Sequence, residues 1–216
     1  MNRCQKNLLR SILALAALFG SLIGNASTTF AECRKEPNAL CTGEKLGRLD
    51  WRKANLDGAN FQNADLEYAD FSGASLKGAD FRGANLQQTR FSHSDLSGAN
   101  FEKADLRWAN LSNSTLVKAR FTDALMAKSD MENADLSQSV LSGADLTRAY
   151  LIATDFQQAD LQRVKLDGAA MNYANLKQAN LFGASLQRTR LIGARLKNAK
   201  WIDGNLCAGL SVGKCE

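Results

Sequence analysis

From Trp51 to Leu206 every fifth residue is large and apolar, and no other feature of the 216-residue chain restricts its folding so severely. All 32 of these positions hold Leu, Phe, Met or Trp. Two residues before them, from Ala54 to Gly204, lie 31 positions of which 22 are Ala and the others Ser, Thr, Val or Gly. The residue in between is often Asp or Asn, as in Ala64-Asp65-Leu66 and Ala59-Asn60-Phe61. The last two residues of each unit are mostly polar or Gly, as in Lys77-Gly78 and Arg82-Gly83.

An α-helix cannot use this pattern, because a step of five residues leaves successive large side chains about 140° apart around the axis. An extended segment can. Alternation puts the small and the large residue on one side and Asp or Asn on the other. The two polar residues that follow break the alternation and mark a turn. A unit this short cannot bury its own apolar side, so successive coils must stack as a solenoid.

These units resemble the pentapeptide-repeat family, whose consensus is A-(D/N)-L-x-x, and the resemblance covers Trp51 to Leu206. It implies an all-β fold, a right-handed quadrilateral β-helix with four units per coil. The Phe residues at 61, 81, 101 and 121, and those at 71 and 91, agree with a 20-residue coil that stacks aromatics on two opposite faces. Residues 51–206 then make about eight coils, a rod of roughly 35–40 Å at the spacing of paired strands. Residues 32–50 and 207–216 read as caps over the two open ends, where unpaired edges would invite aggregation. Trp51 and Trp201 are the inward tryptophans of the first and last coils.

Residues 1–31 read as a signal peptide. Arg3, Lys6 and Arg10 precede an uncharged stretch from Ser11 to Ala31 that is rich in Leu and Ala between Ile12 and Ile23. Small residues allow cleavage after Ala31 or after Ala26, and either leaves an exported chain, periplasmic, lumenal (as in a thylakoid) or secreted. Cleavage removes Cys4 and leaves Cys33, Cys41, Cys207 and Cys215, an even number that suits an oxidising compartment. Four cysteines admit three connectivities. A rod between the pairs favours Cys33 with Cys41 and Cys207 with Cys215, each closing a small loop worth about 2–3 kcal/mol. No short Cys-x-x-Cys knuckle supports a zinc site.

The sequence offers little for catalysis. His93 is the sole histidine, and no insertion or Gly-rich phosphate loop interrupts the frame. Asp65, Asp105 and Asp145 fall on one face and Asp95, Asp135 and Asp155 on another, where local hydrogen bonding accounts for them better than acid–base or metal chemistry. The expectation is no catalytic residue, no metal and no cofactor.

Outward-facing positions carry the remaining information. Tyr68 and Trp108 share one point of the coil, two coils apart, with Gln88 between them and Lys128 and Arg148 beyond, a candidate recognition strip. Phe182 and Ile202 stack on adjacent coils near the C-terminus, with Ile192 opposite, a candidate dimer contact of the kind the family resemblance suggests. Arg188, Arg190 and Arg195 belong to a basic end: residues 161–216 hold nine basic and three acidic residues, against 15 and 19 in residues 32–160.

The leading expectation is therefore a non-enzymatic exported scaffold presenting flat faces to an envelope or lumenal protein, or to a second copy of itself. The resemblance also implies an alternative, the protection of DNA gyrase by imitation of B-form DNA. A near-neutral exported body with a basic end argues against that, and against nucleic acid as partner. A third reading is attachment of the basic end to an anionic polymer or membrane surface.

The frame predicts that size matters at each inward position. Ala104→Leu should destabilise by about 1–3 kcal/mol through overpacking, and Leu106→Ala by about 2–5 kcal/mol through a cavity. Urea melts check both, and midpoints equal to that of the unsubstituted chain would contradict the assignment.

Overall fold

The computed structural model describes residues 33–208 and 211–215. The expected signal peptide and both cleavage positions, Ala26 and Ala31, lie outside the described residues. Within the described residues the chain winds as a right-handed quadrilateral β-helix. Parallel bridges join residues 20 apart at every fifth position, from Leu40 with Asn60 to Asn180 with Lys200.

One unit accounts for all five of its backbone donors. Asp70 N–H reaches back to Leu49 O at 2.9 Å, while Phe71 and Gly73 donate forward to Arg90 O and Ser92 O at 2.7 and 2.9 Å. Ala74 N–H closes the turn on Phe71 O at 2.9 Å. The fifth donor, Ser72 N–H, bonds Asp70 Oδ1 at 2.9 Å. This irregular-looking unit thus leaves none of its five amides unmatched, which is the condition for burying backbone at all.

The turns explain the two polar positions. In every unit from Asn38 to Asn198 the second of them has positive φ, the signature of a type II turn. Glycine fills only some of these sites; 23 residues with side chains, Tyr68, Trp108 and Ala153 among them, adopt the left-handed conformation. The closed ladder on both sides of the turn enforces a geometry that the local sequence does not favour.

The inward positions form one continuous core. Ala104 and Leu106 are both fully buried, as are their counterparts along most of the solenoid. Phe61, Phe81, Phe101 and Phe121 stack face to face with centroids 4.8–5.0 Å apart, the spacing of successive coils. Phe71 and Phe91 stack from the opposite face at 5.2 Å and meet the first column edge-on. Beyond Phe121 the centre is filled by Leu and Met with Phe156. Ser and Thr at the small positions keep their hydroxyls bonded: Ser94 to Phe91 O at 2.6 Å, Thr89 across the coil to Leu66 O at 2.9 Å.

The two ends differ from a simple reading of the frame. The ladder begins at Leu40, so Lys45 and Asp50 already pair with the coil below and Cys41 is an inward residue, fully buried above the Phe61 column. Cys41 is joined to Cys33, with Cα atoms 4.5 Å apart. At the other end the frame stops at Trp201, which is only half-buried. Trp201 N–H bonds Asn205 O at 2.7 Å, and the tail folds back antiparallel, pairing Leu206 with Lys200 and Val212 with Arg195. Leu206, which the frame places inward, is therefore 71% exposed. Cys207 and Cys215 are joined across this tail, Cα atoms 4.9 Å apart.

Left-handed turn residues other than glycine lower stability. Ala153, exposed at φ 55°, is the simplest place to measure it. Ala153→Gly should raise stability by about 1 kcal/mol, and Ala153→Val should lower it by at least as much. Chemical denaturation of the two variants provides the measurement.

Candidate functional site

The carboxylate columns were the first place to look for chemistry, and the structure gives them another task. Asp or Asn at the outward position accepts the N–H two residues later, as Asp135 does from Ser137 at 2.9 Å and Asp155 from Gln157 at 2.8 Å. Asp65, Asp95, Asp105 and Asp145 do the same. Where Ser replaces Asp or Asn, the bond is supplied from the coil above. Asp57 Oδ1 accepts Ser75 Oγ–H and Lys77 N–H, and Asp167 Oδ1 accepts Ser185 Oγ–H and Gln187 N–H. Asn172 serves Ile192 N–H likewise. In these turns a side-chain oxygen takes the one amide that the ladder leaves over.

Electrostatics agree. Partial burial pushes the Asp70, Asp80 and Asp95 carboxyls up, but hydrogen bonds from Ser72, Arg82 and Ser97 outweigh it and hold all three below the usual range. They are acceptors kept ionised, the opposite of a general acid. Among the described residues no group of His, Cys, Asp and Glu is placed to hold a metal ion. Surface depressions are shallow furrows between the turns of successive coils, such as that lined by Asp123, Gly143 and Arg163. His93 stands exposed on a turn with φ 59°.

In the middle of the solenoid the outward apolar residues lie on one side, whereas nearer the C-terminus Tyr173 and Ile192 are exposed elsewhere. Arg48, Tyr68, Gln88, Trp108, Lys128 and Arg148 form one corner of the solenoid, each a coil below the last and each with positive φ. Arg48 lies over the Tyr68 ring at 4.8 Å, and Gln88 Nε2 donates to Tyr68 Oη at 2.9 Å. Trp108 is flanked by Arg107 at 5.7 Å and Lys128 at 5.3 Å. The sequence frame put Tyr68 and Trp108 on this corner, and the contacts group each with its polar neighbours into two clusters along it. It missed Leu125 and Tyr150, which occupy the Asp/Asn column on the two flanking faces and are 45% and 54% exposed. The available signal was an apolar residue at a position otherwise given to hydrogen-bond acceptors. Between residues 50 and 165 the exposed large apolar side chains are Tyr68, Trp108, Leu125 and Tyr150, all at this corner or beside it.

The C-terminal coils hold the other candidates. Phe182 lies over Gly204, and Lys200 Nζ sits 4.9 Å from its ring. Gly183 N–H bonds Ile202 O at 3.0 Å, which puts Phe182 and Ile202 on adjacent coils. Ile192 is 67% exposed at the opposite corner. Arg188 continues the Tyr68 corner, and Arg190 and Arg195 lie on the next two faces, all three exposed. None of them pairs with a carboxylate among the described residues.

A family model for pentapeptide repeats matches residues 45–78, 54–92, 74–113, 104–143, 129–168 and 159–198. The chain belongs to the pentapeptide-repeat family. HetL, a pentapeptide-repeat protein involved in heterocyst differentiation regulation in the cyanobacterium Nostoc sp. strain PCC 7120, is 30% identical. The match covers 79% of this chain and 88% of HetL, with a TM-score of 0.45. QnrB1, a plasmid-mediated fluoroquinolone resistance protein, is 21% identical over 80% of this chain and 88% of its own, with a TM-score of 0.65, a likeness of fold. A pentapeptide-repeat protein of the Arabidopsis thaliana thylakoid lumen is 26% identical over 50% of this chain and 69% of its own, TM-score 0.25. A search of curated protein sequences finds no match.

The acceptor role of the carboxylates in this pentapeptide-repeat chain sets its response to acid. Asp70, Asp80 and Asp95 bind protons less readily folded than unfolded, so their contribution is fully present above the unfolded carboxylate range and is lost as pH falls from there through their lowered folded values. The urea midpoint should stay nearly level from about pH 7 to 5 and fall steadily below about pH 4. A midpoint that holds level or rises on acidification would contradict the assignment.

Proposed function

We propose that this pentapeptide-repeat protein is an exported, non-enzymatic scaffold that holds a partner protein against the Tyr68–Trp108 corner. The observation that carries this reading is the one-sided placement of Tyr68, Trp108, Leu125 and Tyr150 on a body whose other long sides carry no exposed large apolar residue between positions 50 and 165. Rigid aromatic rings flanked by cations are the composition of protein-binding hot spots, and they lose little conformational freedom on binding. A bulky ring in the left-handed turn conformation costs stability, and display to a partner supplies a reason for tolerating it.

Export is supported by the composition of residues 1–31 and by two disulfides, which persist in oxidising compartments. The partner then belongs to the envelope, the lumen or the exterior. Imitation of DNA is not supported, since the C-terminal coils are basic and the rest of the mature chain is only mildly acidic.

Two measurements test the proposal. A reporter fused after Ala31 should be found outside the cytoplasm with the leader removed; retention in the cytoplasm would overturn export. The purified chain, cross-linked in its native envelope fraction, should capture a discrete partner that Tyr68→Ala with Trp108→Ala loses by at least about tenfold. Equal capture by the doubly substituted chain would overturn the corner as the site.

A further inference from the structure

Among the described residues, the C-terminal rim of the solenoid is paired on two faces and unpaired on the other two. On the closed half the tail supplies partners: Leu196 N–H bonds Ser211 O at 3.0 Å, Asn198 N–H bonds Cys207 O at 3.2 Å, and Cys207 N–H bonds Ala199 O at 2.9 Å. Gly213 N–H bonds Ala194 O at 2.8 Å and ends the covered stretch at the corner beside Gly193. On the open half, the amides of Leu186, Arg188, Leu191 and Gly193 occupy the ladder positions that donate to a following coil everywhere above, and among the described residues they have no backbone hydrogen-bond partner, although Gly213 packs beside Leu191 O and Gly193 N. The carbonyls of Ala184 and Thr189, which in every earlier coil would accept from below, accept no such bond among the described residues either.

Side chains qualify this edge further. Leu186 and Leu191 are the last inward residues of these two faces and are only half-buried, whereas their counterparts Leu166 and Met171 one coil above are fully buried. Arg188, Arg190, Arg195, Lys197 and Lys200 lie on or beside the rim, and residues 184–202 contain no carboxylate. Four unpaired N–H groups against two C=O groups add to the positive field of those cations.

We propose that the open rim, Ala184 to Gly193, binds an acidic extended segment of a partner protein as one further partial coil. Backbone pairing supplies the affinity, a small or large apolar residue of the segment covers Leu186 and Leu191, and its outward carboxylates face Arg188 and Arg190. A second copy is disfavoured as occupant because head-to-head contact would bring two carboxylate-free cationic rims together. The site is separate from the Tyr68–Trp108 side strip, and its test does not depend on that reading.

The probe is a blocked decapeptide with two copies of Ala-Asp-Leu-Asp-Gly, added to the full purified chain. The decapeptide with Lys in place of Asp serves as a control, as does an Asp version N-methylated at alternate amides. Only the unmethylated acidic peptide should bind, more weakly as salt rises, and it should slow hydrogen exchange at the Leu186, Arg188, Leu191 and Gly193 amides. Arg188→Glu with Arg190→Glu should weaken binding by at least about tenfold with the thermal midpoint unchanged, while Tyr68→Ala with Trp108→Ala should leave it as it was. Binding of the Lys or N-methylated peptide, binding retained by the double Glu variant, or no change at those four amides would overturn the proposal. Self-association that protects the same amides without peptide would overturn it as well, in favour of a second copy.

Discussion

Everything in this molecule depends on a register of 20 residues between paired positions. Each unit donates twice to the coil below and once to the coil above, so a single inserted residue would carry its large side chain out of the core and misalign every amide beneath it. The uninterrupted frame from Trp51 to Trp201 is the consequence. It also confines function to side chains that point outward, because no loop of variable length exists in which a concave site could grow.

Within that frame the residue types divide their tasks by position. Small residues sit where backbones approach, large ones plug the centre, and Asp or Asn satisfies the amide that the ladder leaves over. This last task occupies many of the aligned carboxylates, and at Asp70, Asp80 and Asp95 the hydrogen bonds of the turn hold the group ionised. The exceptions support the rule, since Asp57 and Asp167 step in from the coil above where Ser75 and Ser185 are too short to reach. In salt bridges such as Arg90 with Asp70 the guanidinium is largely exposed, and such pairs add little to stability.

Much of the fold was legible in the sequence because a period of five with strict size classes leaves few backbones to choose from. The inward assignment of residues such as Phe101 and Leu106, the opposed aromatic columns and the local proximity of each cysteine pair all follow from it. Other features were not legible because they depend on pairing with a neighbouring coil. Leu40 and Cys41 continue the ladder although the residues around them, with Pro37 nearby, depart from the motif. Leu206 keeps the motif and leaves the core, because the turn at Gly204 sends the chain back along its last coil. For the candidate site, Tyr68 and Trp108 could be aligned by counting in steps of 20 residues. Leu125 and Tyr150 join them because the two flanking faces meet at one corner, and the open rim depends on where the described part of the tail pairs with the last coil.

Residue-resolved hydrogen exchange on the native chain tests the ladder most directly. The account predicts slow exchange at four or more of every five amides from Leu56 to Asn180, repeating with the unit and centred on the Phe61–Phe121 stack. Protection that follows a helical period of between three and four residues, or fast exchange throughout this region, would contradict it.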